Sequence, residues 1–400
     1  MLGDRQDFVH PLPGWPTPSV SRLGGAMSNT GAEQVFAQHS KPALLHPPGA
    51  GLSMDELQLA ARNHGLPLEM LRDEVTPPGL HYLLVHFDIP HVDARSWRLR
   101  IDGAVARPIT LDLDDLRQRE RKTTRVTVEC AGNGRARLDP RPESQPWLVE
   151  AVGTADWTGT PLAPILRDAG IDEGVVDIVF TGADHGIERG IEQHYQRGLG
   201  LNDALNDEVL LAYEMNGAPL PPQHGFPARL VVPGWYGMAH VKWLTRIDAV
   251  TEAFDGYQNA IAYRLRNNVT EPGIPVTRIE PRALLVPPGF PDFMSRRRFL
   301  RPGPTTVEGR AWSGWAPVTA VDVSTDAGAS WSAAMLDGDD HGRWAWSRFS
   351  MQWDAPPGEH ELCARAHDAS GRVQDSQPRW SIGGFANNEV QRMAVLVADH

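Results

Sequence analysis

The sequence predicts an α+β fold in which a mixed α+β domain at residues 51–280 precedes an all-β sandwich at residues 281–400. The chain has 400 residues, more than one ordinary core needs, so two domains are expected. Its 38 glycines and 34 prolines favour short strands and turns over long helices. Helical and strand patterns are mixed up to about residue 275, and beyond it short strands and turns follow one another at regular spacing.

The N-terminal part contains two contrasting segments. Residues 1–50 are rich in Pro, Gly, Ser and His, which predicts a poorly ordered extension. The stretch Ser53–Arg72 has apolar residues near helical spacing, and Glu56 follows Ser53 by three positions, as in a capping box. We therefore expect the first ordered element to be a helix over this stretch.

The remainder of the first domain is expected to consist mainly of strands, with one short helix at Leu162–Ala169 after Pro161. Alternating or β-branched apolar runs predict the strands. They are His81–Ile89, Trp97–Ile101, Arg125–Glu129, Val175–Phe180, Val209–Tyr213 and Ala228–Val232.

A proline-rich stretch, Pro281–Pro304, is expected to link the two domains. The strands predicted after it are short and separated by turns, which is the pattern of a sandwich. They are Thr306–Ala311, Val318–Ser324, Trp331–Leu336, Ala345–Trp353 and Glu359–Asp368.

Charge and composition exclude several classes of partner and site. A net charge of −12 argues against nucleic-acid binding. No run of about 18 apolar residues predicts a membrane span, and no signal sequence is visible, so a cytoplasmic location is expected, with a periplasmic one left open. The two cysteines, Cys130 and Cys363, provide neither a disulfide framework nor a Cys-x-x-Cys zinc site. Cys363 is expected in the core of the sandwich.

The segment Thr-Val-Glu-Cys130-Ala-Gly-Asn-Gly-Arg135 places a cysteine at the end of a predicted strand. Small neighbours allow a bulky ligand to approach the backbone, and Arg135 and Arg137 favour a thiolate. The residues alone leave a buried structural cysteine as an alternative. A dinucleotide-binding loop is excluded, because Arg137 stands where the third glycine belongs and prolines follow in place of a helix.

This segment resembles the Cys-Ala-Gly-Asn-Arg-Arg signature of the sulfite oxidase family of molybdoenzymes. A second block, residues 210–244, resembles the family's cofactor-binding segment through His224-Gly-Phe-Pro-x-Arg229 and Gly-x-x-His240-Val-Lys242-Trp. The β-rich tail resembles the family's immunoglobulin-like dimerisation domain. The resemblance covers about residues 75–395 and implies a homodimer.

The resemblance implies a molybdenum–molybdopterin cofactor, with Cys130 as the thiolate ligand of the metal. It implies catalytic roles for Cys130, Tyr263 and Arg135, with Tyr257 as the competitor of Tyr263. Further residues would bind the cofactor through hydrogen bonds and positive charge. They are His86, Asp184, His224, Arg229, Gly237, His240 and Lys242.

The chain departs from the family at two positions where arginines bind the anionic substrate. Leu84 and Gly383 stand there. A buried anion without donors costs several kcal/mol, so either Arg264 or Arg266 compensates or the substrate is not sulfite. No haem domain is recognised in this chain, so the electrons are expected to pass to a separate acceptor such as a cytochrome.

The expected activity is therefore oxo transfer to a small sulfur substrate such as sulfite. Two alternatives stay open at this point. The same centre also suits the reduction of S- or N-oxides, and the missing arginines are compatible with a catalytically inert scaffold that retains the cofactor.

Overall fold

The computed structural model describes residues 10–11, 30–337 and 342–398, and its first part combines small sheets with short helices. The strands are β1 His10–Pro11, β2 Leu44–Leu45, β3 Leu99–Gly103, β4 Ile109–Leu111, β5 Lys122–Glu129, β6 Val152–Pro161, β7 Asp177–Glu188, β8 Ile191–Gly200, β9 Leu210–Met215, β10 Ala218–Pro219, β11 Arg229–Val231, β12 Leu244–Val250, β13 Arg264–Leu265 and β14 Ile274–Pro275. The helices are α1 Thr30–His39, α2 Met54–Arg62, α3 Leu113–Gln118, α4 Leu162–Ala169 and α5 Leu201–Ala204.

Two five-stranded sheets form the frame of this part. One has the order β10-β9-β6-β5 with β11 also paired to β9, and the other has the order β4-β3-β12-β7-β8. All their pairs are antiparallel except β3 with β12. Apolar side chains from both sheets and from α4 share one core, which includes Leu166, Phe180, Leu211 and Leu230. This core fixes the ends of β5, β7 and β11, where the candidate site lies.

The second part is the predicted all-β sandwich. Its strands are β15 Arg282–Leu285, β16 Phe290–Pro291, β17 Arg298–Leu300, β18 Gly303–Trp312, β19 Val318–Ser324, β20 Ser332–Ala333, β21 Met335–Leu336, β22 Ser347–Ala355, β23 Gly358–Asp368 and β24 Met393–Val397. One sheet has the order β15-β18-β22-β21 and the other β16-β17-β24-β23-β19-β20. Val307, Val321, Phe349 and Val395 fill the space between them, and Cys363 is fully buried there, as expected.

Most predicted strands coincide with observed ones, and the helix at Leu162–Ala169 has the predicted bounds. The prediction of one helix over Ser53–Arg72 is wrong. The Ser53–Glu56 capping box forms, but α2 ends at Arg62, because the chain is extended at Asn63 and a separate 3-10 turn covers Leu68–Arg72.

The segment His81–Ile89, predicted as a strand, is irregular. Leu83 pairs with His64 through two backbone hydrogen bonds, and the Val85 amide donates to the Asn63 side chain, so the backbone is satisfied outside any sheet. The predicted linker is also partly wrong, because β15, β16 and β17 lie within it and β15 pairs with β18. In both segments, contacts with distant parts of the chain override the structure that the local sequence pattern favours.

The predicted N-terminal extension lies largely outside the described residues, which exclude 1–9 and 12–29. The part within them is folded. Helix α1 and the residues directly after it lie against the hairpin of β7 and β8, where the Gly190 amide donates to Ser40 Oγ over 2.8 Å and Arg189 donates to the Pro42 carbonyl. Among the described residues, no helix is long and apolar enough to cross a membrane.

Candidate functional site

Cys130 leaves the sheet directly after β5 and begins a tight turn. Its amide donates to the Ala151 carbonyl over 2.9 Å, and its carbonyl accepts from the Asn133 amide over 3.0 Å. The Asn133 side chain donates to Glu129 Oε1 and to the Val149 carbonyl, which fixes the turn to the end of β5 and to the segment before β6. The thiol is 5% exposed, and it lies where two adjoining cavities meet.

The inner cavity, counted with the solvent space at its mouth, has a volume of about 640 Å³. It contains every residue for which the sequence predicts cofactor binding, together with Tyr263. These residues come from the irregular run at 81–89, from the Cys130 turn, from β7, from the segment between β10 and β12 and from the position before β13, so the fold brings together positions more than 150 residues apart. They are His86, Cys130, Asp184, His224, Arg229, Gly237, His240, Lys242 and Tyr263.

Two buried cations face this cavity without an ion pair within 4 Å among the described residues, although Asp184 acts electrostatically on one of them, Lys242. Arg229 donates to the carbonyls of His224 and His240, and its Nε has no hydrogen-bond partner. Lys242 Nζ donates to the Leu84 carbonyl over 2.6 Å. Neither cation makes an ion pair with a described carboxylate. Burial lowers the pKa of both groups, so an anionic ligand such as a phosphate would stabilise their charged forms.

Three buried imidazoles surround the cations. Burial lowers the pKa of His81 to about 4, of His240 to about 3 and of His224 to about 2. All three are therefore neutral at physiological pH and can both donate and accept hydrogen bonds. His224 Nε2 lies 3.0 Å from the Pro78 carbonyl and His240 Nε2 lies 3.1 Å from that of Trp235, while His81 Nε2 is buried without a partner.

Asp184 provides the clearest sign of a ligand with N–H donors. Its Oδ1 is buried and has no hydrogen-bond partner among the described atoms. Burial raises the pKa of this carboxyl to about 6. An unpaired buried acceptor is costly, and the amino and ring N–H groups of a pterin are the donors that it lacks. The donor set of the cavity therefore fits a phosphorylated pterin.

Tyr263 and His86 form a pair at the boundary between the cavities. The phenol oxygen lies 2.9 Å from His86 Nε2, and both side chains line the inner and the outer cavity. Burial lowers the pKa of His86 to about 3 and raises that of Tyr263 well above its ordinary value, so both groups are neutral. Tyr257, the competitor of Tyr263, lines neither cavity.

Arg135 lines the outer cavity, which is open to the surface and has a volume of about 1200 Å³ with the solvent space at its mouth. Its Nε donates to the Gly383 carbonyl over 3.2 Å and its Nη1 to the Gln145 carbonyl over 2.9 Å. The guanidinium carbon lies 5.2 Å from the centre of the Phe385 ring. Burial lowers its pKa, opposed by the neighbouring Cys130. Arg135 is therefore a fixed, buried donor beside the thiol.

The two substituted arginine positions also lie at the site. The Leu84 side chain lines both cavities, and Gly383 contributes its carbonyl to Arg135. Neither Arg264 nor Arg266 lines either cavity; Arg264 donates to the carbonyls of Pro272 and Gly273 instead. The two arginines considered as replacements therefore do not compensate.

The sequence reasoning missed several residues of the site. His81, Tyr82 and Tyr195 line the inner cavity, and Glu188 and Phe385 line the outer one. His81 and Tyr82 could have been recognised from the sequence, because His81 lies five residues before His86 in one run rich in aromatic and apolar residues. The other three become neighbours of Cys130 only through the tertiary fold.

Comparison with known proteins agrees with this geometry. Residues 86–258 match the family model of the oxidoreductase molybdopterin binding domain, and residues 292–398 match that of the Mo-co oxidoreductase dimerisation domain. The chain is 33% identical to the sulfite oxidase of Gallus gallus over 97% of this chain and 93% of that protein.

Two further relatives extend the comparison. The chain is 32% identical to the mitochondrial sulfite oxidase of Homo sapiens over 83% of its own length, and it spans 64% of that protein. The crystal structure of the sulfane dehydrogenase SoxCD from Paracoccus pantotrophus has the same fold, with a TM-score of 0.72 at 24% identity over 96% of this chain and 98% of that one. The chain is thus a molybdopterin-dependent oxidoreductase that belongs to the sulfite oxidase family.

Proposed function

We propose that this enzyme oxidises a small sulfur compound by adding one oxygen atom to the sulfur and passes the electrons to a separate acceptor. The observation that supports this proposal is the outer cavity, which leads from the surface to Cys130, Tyr263 and one buried cation, Arg135. When bound, the molybdenum–pterin cofactor supplies two-electron chemistry coupled to oxygen-atom transfer.

The inner cavity would hold the cofactor through three kinds of group. Arg229 and Lys242 would bind the phosphate, since both are buried cations that form no ion pair within 4 Å among the described residues. Asp184 and the neutral histidines would bind the pterin through hydrogen bonds. Cys130 would bind the metal as a thiolate, for which a soft sulfur ligand is suited.

The residues at the boundary would orient the substrate and hold a proton. Tyr263 and His86 share one hydrogen bond between neutral groups, so the pair presents no charge to the sulfur atom. The phenol oxygen is also a place where a proton can be held next to the metal ligand Cys130. Arg135 would attract an anionic oxygen of the substrate, because part of its guanidinium remains free of the two carbonyls that it binds.

A turnover assay tests this function. Purified protein with its molybdenum content measured is mixed with ferricyanide, a one-electron acceptor, and a panel of sulfur compounds that includes sulfite. We expect reduction of ferricyanide by at least one of them. Turnover of sulfoxides or N-oxides with a reduced dye, and none in the oxidative direction, would show that the enzyme is a reductase. No turnover in either direction by fully loaded protein would show an inert scaffold.

The Cys130→Ser variant tests the metal ligand separately. A hydroxyl is a poorer ligand than a thiolate for this ion, so we expect the electron paramagnetic resonance spectrum of the molybdenum centre to change. Cys363→Ser, in the core of the sandwich, is the control. Unchanged spectra in Cys130→Ser would refute the assignment.

The sandwich would mediate a homodimer, in line with the match of residues 292–398 to a dimerisation domain. Phe293 and Met294, in the turn between β16 and β17, are each 83% exposed, and exposed apolar pairs of this kind are typical of contact surfaces. Sedimentation analysis should show a dimer of the wild-type protein. A monomer at micromolar concentration would contradict the proposal.

A further inference from the structure

The outer cavity has an apolar wall where the family's additional cations would be. A Cβ atom at Gly383 would lie 2.5 Å from Cε2 of Phe385, so the Phe385 ring occupies the space that a side chain at this position needs. The ring also lies against Tyr263, with centroids 4.8 Å apart. With Leu84 on the same cavity, the wall near Cys130 can contact a carbon substituent of a substrate.

Some charged side chains of the outer cavity form ion pairs with each other, and others form none among the described residues. Lys41 is neutralised by ion pairs with Asp55 and with Glu143, the latter over 3.1 Å. Arg135 binds only backbone carbonyls among its described partners. Glu188 lines the same cavity and makes no ion pair in the described part of the chain.

Glu188 is held in place at the end of β7. It accepts one hydrogen bond from Gln258 Nε2 over 3.0 Å. Burial raises its pKa, opposed by Gln258 and by the neighbouring Arg189, whose guanidinium donates to the Pro42 carbonyl. A cation on a bound ligand would stabilise the ionised carboxylate. The cavity thus offers the buried cation Arg135 and an apolar wall. It also offers the carboxylate Glu188, which forms no ion pair within 4 Å among the described residues, although Arg189 on the same cavity favours its charged form.

Resting on the proposed function, we propose that the substrate is a small organic sulfinate that carries an ammonium group. Its sulfinate would bind Arg135 beside Cys130, its carbon chain would contact Leu84 and Phe385, and its ammonium would bind Glu188. A sulfinate carries one negative charge, which one guanidinium can balance. Sulfite carries up to two and has no carbon substituent to occupy the wall.

The reaction balances as an oxidation by water. A sulfinate, R–SO2−, and one water give a sulfonate, R–SO3−, with two protons and two electrons. One sulfur–oxygen bond forms, both O–H bonds of the water break, and the sulfur atom loses two electrons. Two molecules of a one-electron acceptor take up these electrons, and ferricyanide serves as that acceptor in the assay.

Three substrates distinguish the outcomes for molybdenum-loaded wild-type enzyme: 2-aminoethanesulfinate, methanesulfinate and sulfite. We expect kcat/KM to be about tenfold higher for the first than for the second, as for one charge-assisted contact, and lowest for sulfite. Oxidation of sulfite with kcat/KM equal to or above that of 2-aminoethanesulfinate would overturn this inference and leave the proposed function intact. Oxidation of none of the three, with turnover of another sulfur compound of the panel, would overturn this inference alone, whereas no oxidation of any compound of the panel would overturn both.

Variants test the two contacts. Glu188→Gln should lower kcat/KM for 2-aminoethanesulfinate about tenfold and leave that for methanesulfinate within about twofold. Glu192→Gln, on an exposed part of the same hairpin, should change neither. Leu84→Arg should raise kcat/KM for sulfite and lower it for both sulfinates. An equal loss for both sulfinates in Glu188→Gln would overturn the ammonium contact.

Binding provides a readout that does not depend on turnover. Calorimetry with the products, 2-aminoethanesulfonate and methanesulfonate, should show the same preference for the amino compound in the wild type, and this preference should disappear in Glu188→Gln. Equal affinities of the wild type for the two sulfonates would contradict the assignment, even if the variant lost activity through a folding defect.

Discussion

Arg282, at the start of the sandwich, forms a buried ion pair with Glu129, the residue immediately before Cys130. Arg282 Nε lies 2.7 Å from Glu129 Oε1, and both side chains are 1% exposed. Trp312, also in the sandwich, donates from its indole nitrogen to the other carboxylate oxygen over 2.8 Å. The second domain therefore holds the end of β5 and, through it, the turn that carries the thiol.

Arg282→Met should destabilise the protein, because it leaves the Glu129 carboxylate buried without its cation. Removal of one partner from a buried pair costs about 3–5 kcal/mol, and we expect a loss of this size in the free energy of unfolding. Denaturant unfolding followed by fluorescence measures it. We also expect a lower molybdenum content, because the Cys130 turn loses its support.

The double variant Glu129→Gln/Arg282→Met is the matched control. It removes both charges and retains one amide oxygen that can accept a hydrogen bond from Trp312 or from Asn133. Most of the lost stability and molybdenum should return. A single variant that loses less than about 1 kcal/mol would contradict a structural role for the pair.

Gly132→Ala should displace Arg135 without removing it. A Cβ atom at Gly132 would lie 2.5–2.6 Å from three atoms of the Arg135 guanidinium, and the guanidinium is the more easily moved partner. A displacement of about 1 Å at a substrate-binding group can cost about 100-fold in rate, so we expect kcat/KM for anionic substrates to fall about 10- to 100-fold.

The control for this variant is Gly200→Ala, where a Cβ atom meets nothing within 4 Å and the φ angle is negative. It should retain full activity. Molybdenum content, measured for both variants, separates a substrate effect from loss of the cofactor. Unchanged kinetics in Gly132→Ala would show that Arg135 does not contact the substrate.

Lys242→Met should have opposite effects on the empty and the loaded protein. Without cofactor, Lys242 is a buried cation whose pKa burial lowers more than the nearby Asp184 raises it, so its replacement by an apolar side chain should stabilise the fold. Binding of a phosphorylated cofactor should weaken by at least about tenfold, because one charge-assisted contact is lost. Melting temperature of the cofactor-free protein and molybdenum content measure the two effects.

Lys122→Met, at the edge strand β5 on the exposed surface, is the control and should change neither quantity appreciably. Lys242→Met with a normal molybdenum content would contradict the proposed phosphate contact.

Local sequence was sufficient to predict those parts of the fold whose contacts are local or repeat regularly. The strands of the sandwich are short apolar runs bounded by turn residues, and Val318–Ser324 has the predicted bounds. Cys130 and the block around His224 and Lys242 were recognisable because each lies in a contiguous motif. The prediction that they meet depended on family resemblance, and the structure places them in one cavity.

Other features depend on contacts between distant segments and could not be read from the sequence. Glu129 and Arg282 are 153 positions apart, and nothing near either residue predicts their ion pair. Phe385 reaches the cavity because the C-terminal segment folds back over the Cys130 turn, where the Ala386 amide donates to the Ala131 carbonyl. The irregular run at 81–89 has the alternation of a strand, but its polar groups bind side chains and loops instead of a neighbouring strand.

We expect the free energy of unfolding of the protein to depend on pH through Glu56, which lies at the N-terminal side of the outer cavity. Arg141 donates to both oxygens of this fully buried carboxylate, each over 3.0 Å. Burial alone would raise the pKa of Glu56, but the hydrogen bonds from Arg141 and from the Ser53 amide outweigh it and lower the pKa. The folded protein therefore binds the proton less readily than the unfolded chain does.

The sign of the effect follows from that lowered pKa. The contribution of Glu56 to stability is fully present above its unfolded pKa of about 4.3 and is lost as the pH falls through the lower, folded value. Glu56→Gln should therefore lower the free energy of unfolding by about 3 kcal/mol at pH 7, and the gap to the wild type should narrow below pH about 4. Glu359→Gln, which breaks an exposed ion pair with Arg297, should cost less than about 1 kcal/mol throughout. A gap for Glu56→Gln that stays constant from pH 7 to pH 3 would show that packing, and not the charge of Glu56, stabilises this region.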